Sequence, residues 1–163
     1  MVLLFNKEEA KKRLHLPLRF LINKWRVPKP LIVDGDRDIE YLINAFIRYN
    51  RECALVRNSN GKIIGIVTLF DLLKMFVPKR RRHFILRTPH LVLEGKVLVK
   101  DIMSRGLVTI HLDDNLADLL NTMVRYEISH VTVVDEKDEP VAVLSKRIVL
   151  KELLGIEKLV EIH

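Results

Sequence analysis

Two short stretches set hydroxyl, carboxylate or cationic side chains where a strand gives way to a helix. The first is Thr68-Leu69-Phe70-Asp71, after the apolar run Ile63 to Val67; the second is Ser145-Lys146-Arg147-Ile148, after Val141 to Leu144. Backbone N–H groups at a helix start have no intrahelical partner and suit an anion. Asp71 in that first turn has the capacity to accept two hydrogen bonds from a ligand's hydroxyl groups, and the Thr68 hydroxyl can reach the same ligand. The same two residues equally serve the helix itself, threonine as an N-cap and aspartate against the dipole. In the second stretch Ile148 offers no acceptor. Lys146 and Arg147 remain, either as phosphate contacts or as solvated surface.

Other chemistry-bearing residues are sparse. Cys53 is the single cysteine, which excludes an internal disulfide and a cysteine-rich zinc site. It reads as a small buried thiol, because nothing near it in sequence lowers its pKa. The six histidines form neither His-x-x-x-His nor a His/Cys cluster, so no built-in metal site is expected. Asp113-Asp114 is a carboxylate pair, but it falls in a turn before a helix, where acids cap and complement the dipole. Gly-x-Ser-x-Gly, P-loop and His-Glu-x-x-His texts are absent. These residues predict a binding protein with no catalytic residue.

The elements that carry them occur twice. Shifting the chain by 77 residues matches Leu31–Phe76 to Val108–Leu153 without a gap. Each copy opens on a β-branched run, Leu31 to Val33 or Val108 to Ile110. A helix follows, with Ile39, Leu42, Ile43, Phe46 and Ile47 against Leu116, Leu119, Leu120, Met123 and Val124. That spacing is one buried helical face. Asp38 and Asn115 stand at the N-cap positions. Two strands around a turn come next, Ala54 to Val56 with Ile63 to Val67, and Val131 to Val134 with Val141 to Leu144. A second apolar-faced helix closes each copy. The predicted unit is β-α-β-β-α, and at about 50 residues it buries too little surface to stand alone. An α+β fold of two packed repeats is expected.

Around the repeats, charge is uneven. Residues 1–29 and 77–100 each carry close to +6, 30–76 balance, and 101–163 sum to −5, within a total of +7. The basicity thus belongs to an N-terminal segment and a linker. The segments read as 1–29, first repeat 30–76, linker 77–98, second repeat 99–155 and tail 156–163. Asn6 with Glu9 suggests a helix start near the N-terminus, interrupted by Pro17. Lys79-Arg-Arg-Arg82, with His83 and Arg87, suits an acidic partner, an anionic ligand or nucleic acid. No nucleic-acid-binding motif accompanies it, and aromatics are only 6% of the chain. No apolar run is long enough to span a membrane and no secretory leader is evident, so a cytoplasmic protein is expected.

Three stretches resemble the cystathionine-β-synthase (CBS) domain. They are Val99-Lys-Asp-Ile-Met-Ser104, Ile128-Ser-His-Val-Thr-Val-Val-Asp135, and Gly61-Lys-Ile-Ile-Gly-Ile-Val-Thr-Leu-Phe-Asp-Leu-Leu73. The resemblance covers about two-thirds of the chain and implies a tandem CBS pair, or Bateman module. It implies binding of an adenosine-containing effector (AMP, ADP, ATP or S-adenosylmethionine) in a cleft between the copies, and a regulatory or sensor role. Asp71 and Thr68 then take the ribose. Ser104, Val108, Ile128 and Ser129 lie near the base, and His130 takes the position some members direct toward phosphate. Ser145, Lys146 and Arg147 line a second cleft that lacks its ribose carboxylate. The resemblance also implies a homodimer through the helices and a regulated protein target. The competing expectation is a nucleic-acid-binding or adaptor protein using Lys79–Arg82 and the N-terminal segment.

Overall fold

The computed structural model describes residues 6–77 and 96–156. In chain order its elements are α1 (Lys7–Arg13), α2 (Leu18–Lys24), β1 (Ile32–Asp34), α3 (Ile39–Tyr49), β2 (Cys53–Arg57), β3 (Ile63–Thr68) and α4 (Leu69–Lys74). There follow α5 (Val99–Ile102), β4 (Ser104–Arg105), β5 (Thr109–His111), α6 (Leu116–Tyr126), β6 (His130–Val134), β7 (Pro140–Ser145) and α7 (Lys146–Leu154). The described residues fall into two units, 31–77 with 96–107, and 6–30 with 108–156. Each holds one β-α-β-β-α repeat, so the α+β class and the duplication stand. The basic cluster Lys79–Arg82, with His83 and Arg87, lies outside the described residues.

In the first unit β1 runs parallel to β2, and β2 and β3 are antiparallel. Val33, Ala54, Val56 and Val67 form the sheet side of a core whose helix side is Leu42, Phe46 and Leu72. The helix α3 starts where Asp38 accepts a hydrogen bond from Tyr41 N at 2.9 Å. The core is then closed by a segment from further along the chain. Val99 N donates to Arg37 O at 2.8 Å and Lys100 N to Gly35 O at 2.9 Å, with Val99 fully buried. The β4 strand pairs with β3, Ser104 opposite Ile66 and Arg105 opposite Gly65. The motif Val99–Ser104, read from sequence as opening the second repeat, therefore packs on the first. Gly65 makes that close approach possible, since a Cβ there would run into the Ser104 carbonyl.

The second unit repeats the pattern with β5 parallel to β6 and β7 antiparallel to β6. Asn115 caps α6 by accepting from Asp118 N at 3.0 Å, and Asn115 N donates in turn to the Asp118 carboxylate at 3.2 Å. Its core takes Leu18 and Leu21 from α2, together with Ile110, Leu116, Leu119, Val131, Val133 and Leu144. Leu18 N donates to Asp114 O at 2.9 Å and Leu116 N to Leu16 O at 3.0 Å. Pro17 bridges to Asn115 as Leu98 bridges to Asp38, the repeat equivalent of Asn115. Thus α2 does for the second repeat what α5 does for the first.

One buried carboxylate fastens this arrangement. Glu152 on α7 is fully buried and accepts from Arg13 Nη1 at 3.0 Å, from Lys24 Nζ at 2.9 Å and from Trp25 Nε1 at 2.8 Å. Burial alone would raise its pKa, but the bonds from Lys24, Trp25 and Arg13 together outweigh it and hold the carboxyl below its ordinary 4.5. Lys24 and Lys151 also flank the Trp25 ring, at 5.5 and 5.6 Å from its centre.

Two outcomes follow from these contacts. Gly65→Ala should cost about 1–3 kcal/mol by forcing β4 away from β3, read as a lower urea midpoint. An unchanged midpoint would mean the β4 pairing is not fixed. Glu152→Gln should cost about 3–5 kcal/mol near neutral pH, because Arg13 and Lys24 lose their counter-charge. Because the folded pKa is depressed, the stabilisation is present above pH 4.5 and fades as pH falls below it. The gap between wild type and variant should therefore narrow in acid, with Trp25 fluorescence as the reporter.

Candidate functional site

At the end of β3 the chain turns directly into α4, and the turn is held by a closed set of hydrogen bonds. Asp71 N donates to Thr68 Oγ1 at 3.3 Å. Asp71 Oδ2 accepts from Thr68 N at 2.8 Å and from Thr68 Oγ1 at 2.9 Å. This is a capping box, and it satisfies donors that a helix start leaves open. The carboxylate is 4% exposed, so its orientation is fixed by burial as well as bonding. Its other oxygen, Oδ1, meets Lys74 Nζ at 2.6 Å. That lysine is more than half exposed and lies over the Phe70 ring at 5.2 Å. Sequence reading singled out Thr68 and Asp71 but not Lys74; the signal for it was the i, i+3 spacing of opposite charges.

Cys53 faces Thr68 in the β2–β3 register, and Leu69 N donates to the neighbouring Glu52 O at 3.0 Å. Burial pushes the Cys53 thiol up to about 11, with Arg51 opposing and Glu52 adding to the shift. The protonated form dominates at neutral pH, as the sequence suggested for a packed thiol. Ser104 sits exposed on β4 opposite Ile66, in the same unit as Thr68 and Asp71.

The remaining candidates all lie in the other unit. Val108 O accepts from Thr132 N at 3.2 Å. Ile128 packs against the core. Ser129 O accepts from Lys146 N at 3.0 Å, repeating the Glu52–Leu69 bond of the first repeat. His130 pairs in register with Ser145. These residues gather where β6 begins and β7 ends. Ser145 caps α7 without any side-chain hydrogen bond, and no acid stands in the first turn. Ile148, the counterpart of Asp71, packs against the core. The two strand-to-helix turns are thus alike in backbone and opposite in charge.

The CBS domain family matches residues 25–78 and 99–155. The chain belongs to that family, as a tandem pair of CBS domains. An uncharacterised protein of Methanocaldococcus jannaschii is 23% identical over 162 residues, covering 87% of this chain and 96% of its own. Among solved structures, the CBS domain pair of the protein MJ0100, in complex with 5′-methylthioadenosine and S-adenosyl-L-methionine, has a TM-score of 0.65 at 22% identity. The match covers 88% of this chain and 99% of that one. CBSX2 in complex with AMP has a TM-score of 0.62 at 16% identity, covering 88% and 99%.

The Cys53 environment has a direct readout. Alkylation by iodoacetamide at pH 8 should run about 100-fold slower than for an unhindered cysteine, since its thiolate fraction falls tenfold per unit of pKa. A rate equal to that of a model thiol would show that the strand end opens freely.

Proposed function

We propose that this chain is a regulatory module binding an adenosine-containing effector, AMP, ADP, ATP or S-adenosylmethionine, through ribose contacts at Thr68 and Asp71. The carrying observation is the state of Asp71. A buried carboxylate has one oxygen committed to Thr68 and the other turned to an exposed lysine, which a ribose diol displaces at small cost. Membership of the CBS family supports the ligand class, as do the adenosine compounds bound by the two related pairs. On the family pattern Ser104, Val108, Ile128 and Ser129 belong to the base and His130 to the phosphates. The proposal holds one strong ribose site per chain, because Ile148 supplies no acceptor. Ser145, Lys146 and Arg147 are left to weak, salt-sensitive anion binding. Two chains are proposed to associate through their helices, in the cytoplasm. The activity is binding, with no catalytic residue assigned.

The nucleic-acid alternative loses support in the N-terminal segment. Lys11, Lys12, Arg13, Arg19 and Lys24 are paired with Glu8, Glu9, Glu152, Asp113 and Glu152 in turn. Glu8 and Glu9 already count in the +6 of residues 1–29, and Asp113 with Glu152 brings two further negative charges beside it, so the local balance falls to +4.

Calorimetry and thermal unfolding with AMP, ADP, ATP, S-adenosylmethionine and NAD test the proposal. A cognate ligand at 100 times its Kd should add about 2.7 kcal/mol of stability, a rise of a few degrees in Tm. Asp71→Ala should weaken binding roughly 10- to 100-fold. Asp113→Ala, which removes an exposed pair with Arg19, should leave affinity unchanged. Equal affinity for Asp71→Ala and wild type would refute the ribose assignment.

A further inference from the structure

Thr68 and Asp71 occupy one end of the first repeat's strands, where β2 begins and β3 ends. At the other end Asp34 and Arg57 finish the parallel strands β1 and β2 as register partners. Outside these carboxyl ends, the loop into α3 and the β2–β3 turn enclose a cavity of about 450 Å³ lined by Asp34, Asp36, Arg37, Arg57, Asn58 and Ser59. A volume of this size takes a small ligand. Crevices outside the carboxyl ends of parallel strands are where open α/β sheets hold theirs.

The lining carries two carboxylates and two guanidiniums, and internal pairs use only part of that charge. Arg57 Nε and Nη2 both meet Asp34 Oδ1, at 2.9 and 2.8 Å. Asp36 Oδ1 takes Lys100 Nζ at 2.6 Å. Each carboxylate keeps its other oxygen outside these pairs. Arg37 lies over the Tyr41 ring at 4.7 Å, and among the described residues no carboxylate pairs with it. Stacking occupies the face of a guanidinium and leaves its edge N–H groups to an acceptor. The second repeat supplies the comparison, with His111, Asp113, Asp114 and Val134 at the positions of Asp34, Asp36, Arg37 and Arg57. There Asp114 closes its own turn by accepting from His111 N at 2.8 Å, a bond Arg37 has no acceptor to make. Val134 is buried, whereas Arg57 is exposed. Folding of the repeat therefore does not call for either arginine.

The geometry points to a site for a small zwitterion of the α-amino acid class, its carboxylate on Arg37 and its ammonium on the open oxygens of Asp34 and Asp36. A simple anion in this cavity would meet two carboxylates, and a simple cation two guanidiniums. A ligand bearing both charges on one carbon answers the lining as a whole, with charge-assisted hydrogen bonds at each end. One wall is already fixed, because Asn58 Oδ1 accepts from Asn60 N at 3.0 Å and from Lys62 N at 2.9 Å and so holds the β2–β3 turn. The site is separate from the ribose contacts proposed at Thr68 and Asp71, and neither reading depends on the other.

Amide NMR of the isotope-labelled full chain, titrated with each of the common α-amino acids, tests it. At least one should shift the amides of Gly35, Arg37, Asn58 and Ser59 with a Kd of roughly 1 mM or below. Its N-acetyl derivative, which lacks the ammonium, and its amide, which lacks the carboxylate, should each bind roughly 10- to 100-fold more weakly. Arg37→Gln should lower affinity by the same factor. Arg125→Gln, at an arginine stacked on Tyr126 in the second repeat, should leave it unchanged. Asp34→Asn should weaken the amino acid and strengthen its N-acetyl derivative, since Arg57 is then released from its partner. If no amino acid moves these amides, the site is overturned. Equal binding of the N-acetyl derivative to wild type would overturn the zwitterion, and undiminished binding to Arg37→Gln would overturn the place of its carboxylate. The derivative series is read on wild type and so stands even if a variant folds poorly.

Discussion

A fully buried carboxylate must be matched by donors or it will not stay charged, and Glu152 meets that demand with three. Stripping its hydration costs several kcal/mol, so the ion is tolerated only where its partners are fixed. All three partners belong to residues 13–25, more than 120 positions earlier in the chain. The N-terminal segment is therefore part of the second repeat's core and not an appendage. Once Arg13, Lys24 and Trp25 are held, Leu18 and Leu21 are brought under the sheet, and α2 takes the place that α5 takes in the first repeat.

That substitution explains why the two repeats are not copies in space. A uniform shift of 77 residues aligns their strands and helices, but their opening segments differ. The first is completed by a four-residue helix and a two-residue strand, the second by a seven-residue helix. Gly65 admits β4, whereas its counterpart Ala142 carries the Cβ that the approach excludes. Among the described residues the second sheet has three strands and the first has four. The position where the first sheet takes its fourth strand is thus a glycine, and the matching position of the second sheet is an alanine.

Much of this was legible from residue order because the relevant forces are local. The helical faces through Leu42 and Phe46, or Leu119 and Met123, follow from spacing alone, and Asp38 and Asn115 cap as their types require. Thr68 and Asp71 were found by the same logic, and their capping box is a contact over three residues. What sequence did not yield was long-range. That Val99–Ser104 packs on the first repeat depends on backbone bonds to Gly35 and Arg37 that no periodicity encodes. Glu152 left a fainter mark, a charge on the buried side of α7 three residues after Val149. Such a mark declares that a partner exists without naming it.

The first turn of α4 joins the two properties that set the repeats apart. Within Thr68–Lys74, Thr68 and Asp71 face the strand end, Leu72 the core, and Phe70 and Leu73 the solvent. In α7 the same turn reads Ser145, Lys146, Arg147 and Ile148. One short block of sequence has lost the carboxylate and broken the apolar face at once. Asp71 and Leu73 stand two residues apart on that six-residue helix, one toward the strand end and the other toward solvent. On the proposed reading, an effector that takes Asp71 Oδ1 from Lys74 would touch the helix that carries Phe70 and Leu73 on its outer side. The ribose contact proposed at Asp71 and the exposed side chains of Phe70 and Leu73 thus fall on the same six-residue helix, and the matching turn of the second repeat offers no carboxylate for the first of them.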